Sequence, residues 1–220
     1  MNMFKAEKIL WDERLFLRPQ HFQIQDTYHE QRLNHTVRAL VPYAYGVQKL
    51  KFDEVQLATH VLALEEAQMI WQDGEIYHAP AQDLLPEPLL LDDLNLQGEM
   101  IVYLALPILQ ANKKNIADEK RSLSSRYHNY LAETHDLFTD ASPAELNFLR
   151  RRAEFKLLEQ HIQPSQNLDG FLYLAVAKIK RQSSGSFELD AKFIPPLLHI
   201  AASDSLLNNL KRTLNVIKAK

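Results

Sequence analysis

The chain has 220 residues, 46% of them hydrophobic and 24% charged, and a formal net charge of −3. That length supplies one large domain or two small ones, and the charge balance lacks the basic excess of a nucleic-acid binder. With no cysteine, disulfides, thiolate catalysis and cysteine zinc sites are excluded.

Residues 1–18 mix charge with bulky apolar groups: Phe4, Ile9, Leu10, Trp11, Leu15, Phe16 and Leu17. They show neither a helical nor a strand period. Lys5, Glu7 and Lys8 leave no apolar run for a signal peptide, and no stretch approaches the ~18 apolar residues of a membrane span. The segment reads as an arm, either packed on its own domain or reserved for a partner. Pro19 then suits the first position of a helix, where its missing N–H costs nothing. Residues 20–40 are rich in helix formers, and Phe22, Leu33, Val37 and Leu40 can share one face. Pro42 and Gly46 end that helix.

From 46 to 107 short apolar runs alternate with breakers: 47–52, 60–70, 75–77 and 100–106. Asp73-Gly74 is a hairpin signal, and Pro80, Pro86 and Pro88 punctuate an extended connection. This texture predicts a sandwich or barrel. Residues 111–125 read as a polar loop and 124–138 as a strand. Ser142-Pro143-Ala144-Glu145 matches a capping box. Leu146, Leu149, Ala153 and Leu157 continue with helical spacing, while Ala153, Phe155 and Leu157 also alternate, so local rules lean to helix. Residues 172–179 predict a buried strand between Asp169-Gly170 and Ser183-Ser184-Gly185. Leu207, Leu210, Leu214 and Ile217 step by three, four and three, the seam of a coiled coil or bundle, with Ser203 as its N-cap.

The chemical constellations are sparse. Five glycines form neither GxGxxG nor a P-loop, which counts against nucleotide chemistry and leaves no cofactor expected. None of the nine histidines sits in a ligand spacing, so no metal is expected. No GxSxG elbow accompanies Ser122 to Ser125, and the adjacent acids Glu65-Glu66 and Asp92-Asp93 read as solvated. The run Arg150-Arg151-Arg152 is a candidate anion or partner site, more simply read as a solvated face.

One string stands apart: Trp11-Asp12-Glu13-Arg14-Leu15-Phe16-Leu17-Arg18-Pro19-Gln20-His21-Phe22-Gln23. It resembles the entry motif of the TssK family, baseplate subunits of the bacterial type VI secretion system. Weaker matches follow in order: Gly46-Val47, Asp73-Gly74 with Pro80, Val102 to Pro107, Arg126-Tyr127, and Phe193-Ile194-Pro195-Pro196-Leu197. Arg14 stands where the family usually has glycine; if that position takes a positive φ, arginine is strained there.

The resemblance implies a mainly β fold: a β-sandwich resembling the shoulder domain of siphophage receptor-binding proteins, with an N-terminal-region helix and a C-terminal helix beginning a helical neck. It implies an arm at 1–18, a shoulder at 19–200 with its helix at about 19–40, and the start of the neck at 201–220 of a longer protein. It implies a strand over 149–158, after a turn at Pro143, in place of the local helix. The implied function is non-enzymatic and cytoplasmic: a homotrimeric scaffold linking the TssF–TssG wedge to the TssJ–TssL–TssM membrane complex, the latter reached through a C-terminal head. No nucleic acid and no direct membrane insertion are implied. Trp11, Leu15, Phe16, Leu17, Arg18, Pro19 and Phe22 are the expected wedge contacts, and Leu207, Leu210, Leu214 and Ile217 the oligomerisation seam. The alternatives are a phage-like carbohydrate-binding adhesin, which needs an exposed aromatic platform, and a hydrolase, which needs a pocket uniting a histidine with a serine or two acids.

Overall fold

The computed structural model describes residues 4–92, 98–111, 113–117 and 124–218. Asp93, Ser122, the first three arm residues and much of the polar loop at 111–125 lie outside them. Helix α1 spans Pro19–Leu40 and is followed by strand β1, Gly46–Phe52. A short helix α2, Glu54–Ala58, is capped by Asp53, whose carboxylate accepts the Gln56 N–H at 2.9 Å. Strands β2 (Val61–Leu62), β3 (Leu64–Ile70), β4 (Ile76–Ala79), β5 (Leu89–Leu90) and β6 (Glu99–Pro107) follow. Next come β7 (Tyr127–Thr134), β8 (Ala144–Arg151), β9 (Glu154–Glu159), the short helix α3 (Pro164–Asn167), β10 (Phe171–Arg181) and β11 (Phe187–Leu189). Helix α4, Asp204–Lys218, closes the described chain.

Two sheets build the core. One has the order β1-β3-β4, the other β11-β10-β6-β9, and every pairing in them is antiparallel. Val47, Met69, Trp71 and Tyr77 of the first region meet Val102, Leu104, Leu106, Leu172, Leu174 and Phe155 of the second in one hydrophobic cluster. β6 is the central strand, and its apolar run is buried on both sides. In β10 the inside–outside alternation changes phase at Val176 and Ala177, both buried, where the register against β6 slips between Ala175 and Ala177. A bulge there supplies the extra residue. The β3–β4 hairpin turns at Asp73-Gly74. Gly74 has φ +87°, and a Cβ there would lie 2.4 Å from Asn34 of α1, so only glycine fits beneath the helix.

Several expectations need correction. The capping-box signal at 142–145 does not start a helix: β8 begins at Ala144 and pairs with β7 from Tyr127↔Arg151 to Thr134↔Ala144. The strand expected over 149–158 is two strands, broken at Arg152 and Ala153, one in the β7–β8 hairpin and the other against β6. The strand expected over 124–138 is confined to β7. Elements α2, α3 and β11 carry too few residues for a periodic signal.

Candidate partner-binding surfaces

The arm divides into a docked start and a bare remainder. The Ala6 N–H donates to the Gln31 side-chain oxygen at 3.0 Å, and the Gln31 amide returns a bond to the Phe4 carbonyl at 2.7 Å. This pair fixes the first described residues to α1. Beyond it Leu10 and Phe16 are each 83% exposed, and Trp11 and Leu17 are also exposed. Leu15 is half-buried. Arg14 has φ +69°, so arginine occupies the left-handed region that glycine would take without strain. At the helix entry the Arg18 N–H donates to His21 Nδ1 and the His21 N–H to the Arg18 carbonyl, both at 3.0 Å. The Trp11 and His21 rings lie 6.1 Å apart, so the arm folds back over the first turn.

No residue of α1 is buried. Phe22, Leu33, Val37 and Leu40, the shared apolar face, are all exposed. Polar contacts hold the far end instead: the Asn34 amide donates to the Asp73 carbonyl at 2.6 Å, and Arg38 to the Gln72 carbonyl at 3.2 Å. With Ile24 and Tyr28 only half-buried, hydrophobic burial ties this helix weakly to its own domain. At the other end of the chain, Ser203 Oγ accepts the Leu206 N–H at 3.3 Å at the start of α4. Leu207 is half-buried, whereas Leu210, Leu214 and Ile217 are exposed.

The arginine run is not a solvated face. Arg151 pairs with Glu75 and with Asp83, the latter at 3.3 Å, and Arg152 pairs with Glu87 at 2.5 Å. Arg150 stacks 3.6 Å above the Tyr130 ring. Arg126, almost wholly buried, donates to Asp73 at 2.6 Å, Glu75 at 2.9 Å and the Pro107 carbonyl at 3.0 Å. Burial alone would lower the Arg126 pKa, but Asp73, Tyr127 and Glu75 outweigh it and hold the guanidinium above its ordinary value. Spacing could not reveal this network, because its members lie in the β3–β4 turn, in the segment after β4, just before β7 and around the end of β8. It clamps the base of β7–β8 to the β3–β4 turn.

Between α1 and the hairpin base runs an open groove of about 1660 Å³, lined by Ile24, Glu30, Tyr127, Leu149 and Phe155 among others. Burial raises the Glu30 carboxyl pKa, Glu75 adds to the rise, and Arg151 opposes it. Ser124, Ser125 and His128 also line the groove. Its acids Glu75 and Glu87 are engaged by Arg151 and Arg152, and Asp26, Glu30 and Glu154 line it as well. Trp71 is fully buried, which removes one of two tryptophans from any sugar-binding platform. Adjacent Glu65 and Glu66 pair with Lys51 and Lys49, and Asp92 pairs with His60, so these acids are not simply solvated. Among the described residues no group of three or more His, Asp or Glu could hold a metal ion.

Residues 21–220 match the family described as "Bacterial Type VI secretion, VC_A0110, EvfL, ImpJ, VasE". The type VI secretion system baseplate component TssK1 of Pseudomonas aeruginosa is 30% identical over 215 residues, which are 96% of this chain and 46% of that protein. The chain thus spans about half the length of that curated relative. A crystal structure of TssK superposes with a TM-score of 0.80 at 30% identity, covering 94% of this chain and 46% of that one. A chain of a type VI secretion system TssK–TssF–TssG baseplate subcomplex superposes with a TM-score of 0.84 at 25% identity, covering 98% of this chain and 70% of that one. The entry string, the mainly β architecture and these likenesses agree, and the chain belongs to the TssK family of bacterial type VI secretion proteins.

Proposed function

We propose that the chain is a non-enzymatic scaffold segment of a type VI secretion baseplate. In this reading it works in the cytoplasm as part of a homotrimer and binds the TssF–TssG wedge through its arm and the start of α1. Regions beyond the chain would reach the TssJ–TssL–TssM membrane complex. The sheets would serve as a shoulder like that of siphophage receptor-binding proteins, and α4 as the start of a neck. One observation carries the proposal: Leu10, Trp11, Phe16, Leu17 and Phe22 are exposed, before and at the start of a helix none of whose residues is fully buried. Such contiguous apolar surface marks an interaction site. The structures of relatives in complex with TssF and TssG support the choice of partner.

Covering roughly 400 Å² of apolar arm would gain about 10 kcal/mol gross at ~25 cal/mol per Å². Association and ordering costs remove much of that. Deleting residues 1–18 should therefore weaken binding to the TssF–TssG subcomplex at least tenfold, about 1.4 kcal/mol. Trp11→Ser with Phe16→Ser should do the same while leaving the Phe4–Gln31 contact intact. Titration calorimetry reads both, and wild-type affinity in both variants would overturn the arm's role.

A further inference from the structure

Two exposed parts of the chain carry opposite charge. Residues 128–149, most of the β7–β8 hairpin, contain Glu133, Asp136, Asp140 and Glu145 and no Lys or Arg. Residues 205–220, which include nearly all of α4, contain Lys211, Arg212, Lys218 and Lys220 and no Asp or Glu. Glu133, Asp136, Glu145, Lys211 and Lys218 are exposed, and none has an ion-pair partner among the described residues.

Directly opposed residues of an antiparallel pair share a face, and the faces alternate along each strand. Leu131, Leu149 and the directly opposed Glu133 and Glu145 therefore lie on one face of the ribbon. Both leucines are exposed there. Like charges across a strand pair are destabilising, so this rung lacks a cation. At the tip Asp136 Oδ1 accepts the N–H groups of Phe138 at 2.8 Å and Thr139 at 3.0 Å, which holds its carboxyl below the usual carboxylate range.

On α4, Leu207, Lys211, Leu214 and Lys218 step by four, three and four and so share one helical face. That face lies beside Leu210 and Ile217, which stay free for packing between helices. Lys211 and Lys218 are seven residues apart, about 10 Å at 1.5 Å per residue. Glu133 and Asp136 are three residues apart, about 10 Å along an extended chain. The two surfaces thus match in charge, in apolar content and in spacing. Residues 1–18 are a poorer complement, because Lys5, Lys8, Arg14 and Arg18 are interleaved with Glu7, Asp12 and Glu13.

We propose that the β7–β8 hairpin of one copy of this chain docks on α4 of a second copy, with Lys211 between Glu133 and Glu145 and Lys218 at Asp136. Leu131 and Leu149 then cover Leu207 and Leu214. A contact joining two different surfaces of identical copies runs head to tail and closes a ring where the rotation permits. The proposal rests on the homotrimer reading above and gives it a second set of contacts beside the helix seam.

Sedimentation equilibrium tests it on the wild-type chain, E133K/E145K, K211E/K218E and the four substitutions combined. Each charge swap should weaken self-association about tenfold, and the loss should shrink in high salt. The combined variant should recover wild-type association, a rescue that structural damage would not give. E133Q/E145Q should associate more weakly than wild type yet melt no lower. Self-association unchanged in both swaps, or no recovery in the combined variant, overturns the hairpin contact alone. Weakening by E133K/E145K but not by K211E/K218E also overturns it, in favour of the arm as the surface covered. Intact self-association with lost TssF–TssG affinity in E133K/E145K overturns it in favour of the wedge. A wild-type chain that stays monomeric at every concentration overturns the homotrimer reading as well.

Discussion

Arg126 is the residue on which the hairpin's position turns. It is 3% exposed and pairs with both Asp73 and Glu75, the latter shared with Arg151. Removing one partner of a buried pair strands the charges left behind. Arg126→Leu should cost about 3–5 kcal/mol in urea unfolding. Arg126→Lys should recover only part of that, since one ammonium cannot reproduce the planar fork. Arg14 shows a different kind of residue effect. At φ +69° it pays a left-handed penalty of about 1–2 kcal/mol, in a turn where the Leu15 N–H donates to the Asp12 carbonyl at 3.4 Å and the Glu13 N–H to Asp12 Oδ1 at 2.7 Å. The sequence marked the position as one of possible strain, and the backbone places it in that region.

At the scale of elements, α1 stands out as a helix that its own domain does not bury. Its stop and start are local matters: Pro19 begins it, and the Val41 N–H closes it on the Val37 carbonyl at 2.7 Å. Its placement is tertiary and polar. Glu30 faces the groove with its carboxyl pKa raised by burial, by Glu75 and by Asp26, against Arg151 and Arg126. For an acid with a raised folded-state pKa, the sign is unfavourable at high pH. Stability is fully present below the ordinary carboxylate pKa and falls as pH rises through the raised value. Glu30→Gln should therefore leave stability unchanged near pH 4 and raise it at pH 8, by less than about 1 kcal/mol because the group is partly exposed. Urea midpoints at the two pH values check this. The hairpin shows the opposite failure of local rules. Ser142 to Glu145 satisfies a helix cap, yet Glu145, Leu146 and Phe148 are opposed residue by residue to β7. Pairing with the neighbouring strand β7 outweighs a cap whose gain is about 1 kcal/mol.

For the whole molecule, the two sheets build one core and, among the described residues, leave three apolar elements outside it: arm with α1, hairpin and α4. Their separation predicts that surface changes on one leave folding intact. Leu210→Asp with Leu214→Asp should keep stability within about 0.5 kcal/mol, because both side chains are exposed. If α4 supplies the trimer seam, the same double variant should lower the mass measured by light scattering. A drop in stability would show instead that the helix packs on its own domain.

The sequence by itself determined the punctuation: Pro19 at a helix start, Asp73-Gly74 at a hairpin, apolar runs at β6 and β10, and the stepped leucines of α4. These are signals within a few residues, set by backbone freedom and hydrophobic period. Only the tertiary structure decided that Arg126 and Arg151 clamp the hairpin, that 149–158 splits between two sheets, and that α1 lies unburied. Each of those outcomes depends on groups brought together from tens of residues apart. Pairing and desolvation there override local preference, and no spacing along the chain encodes them.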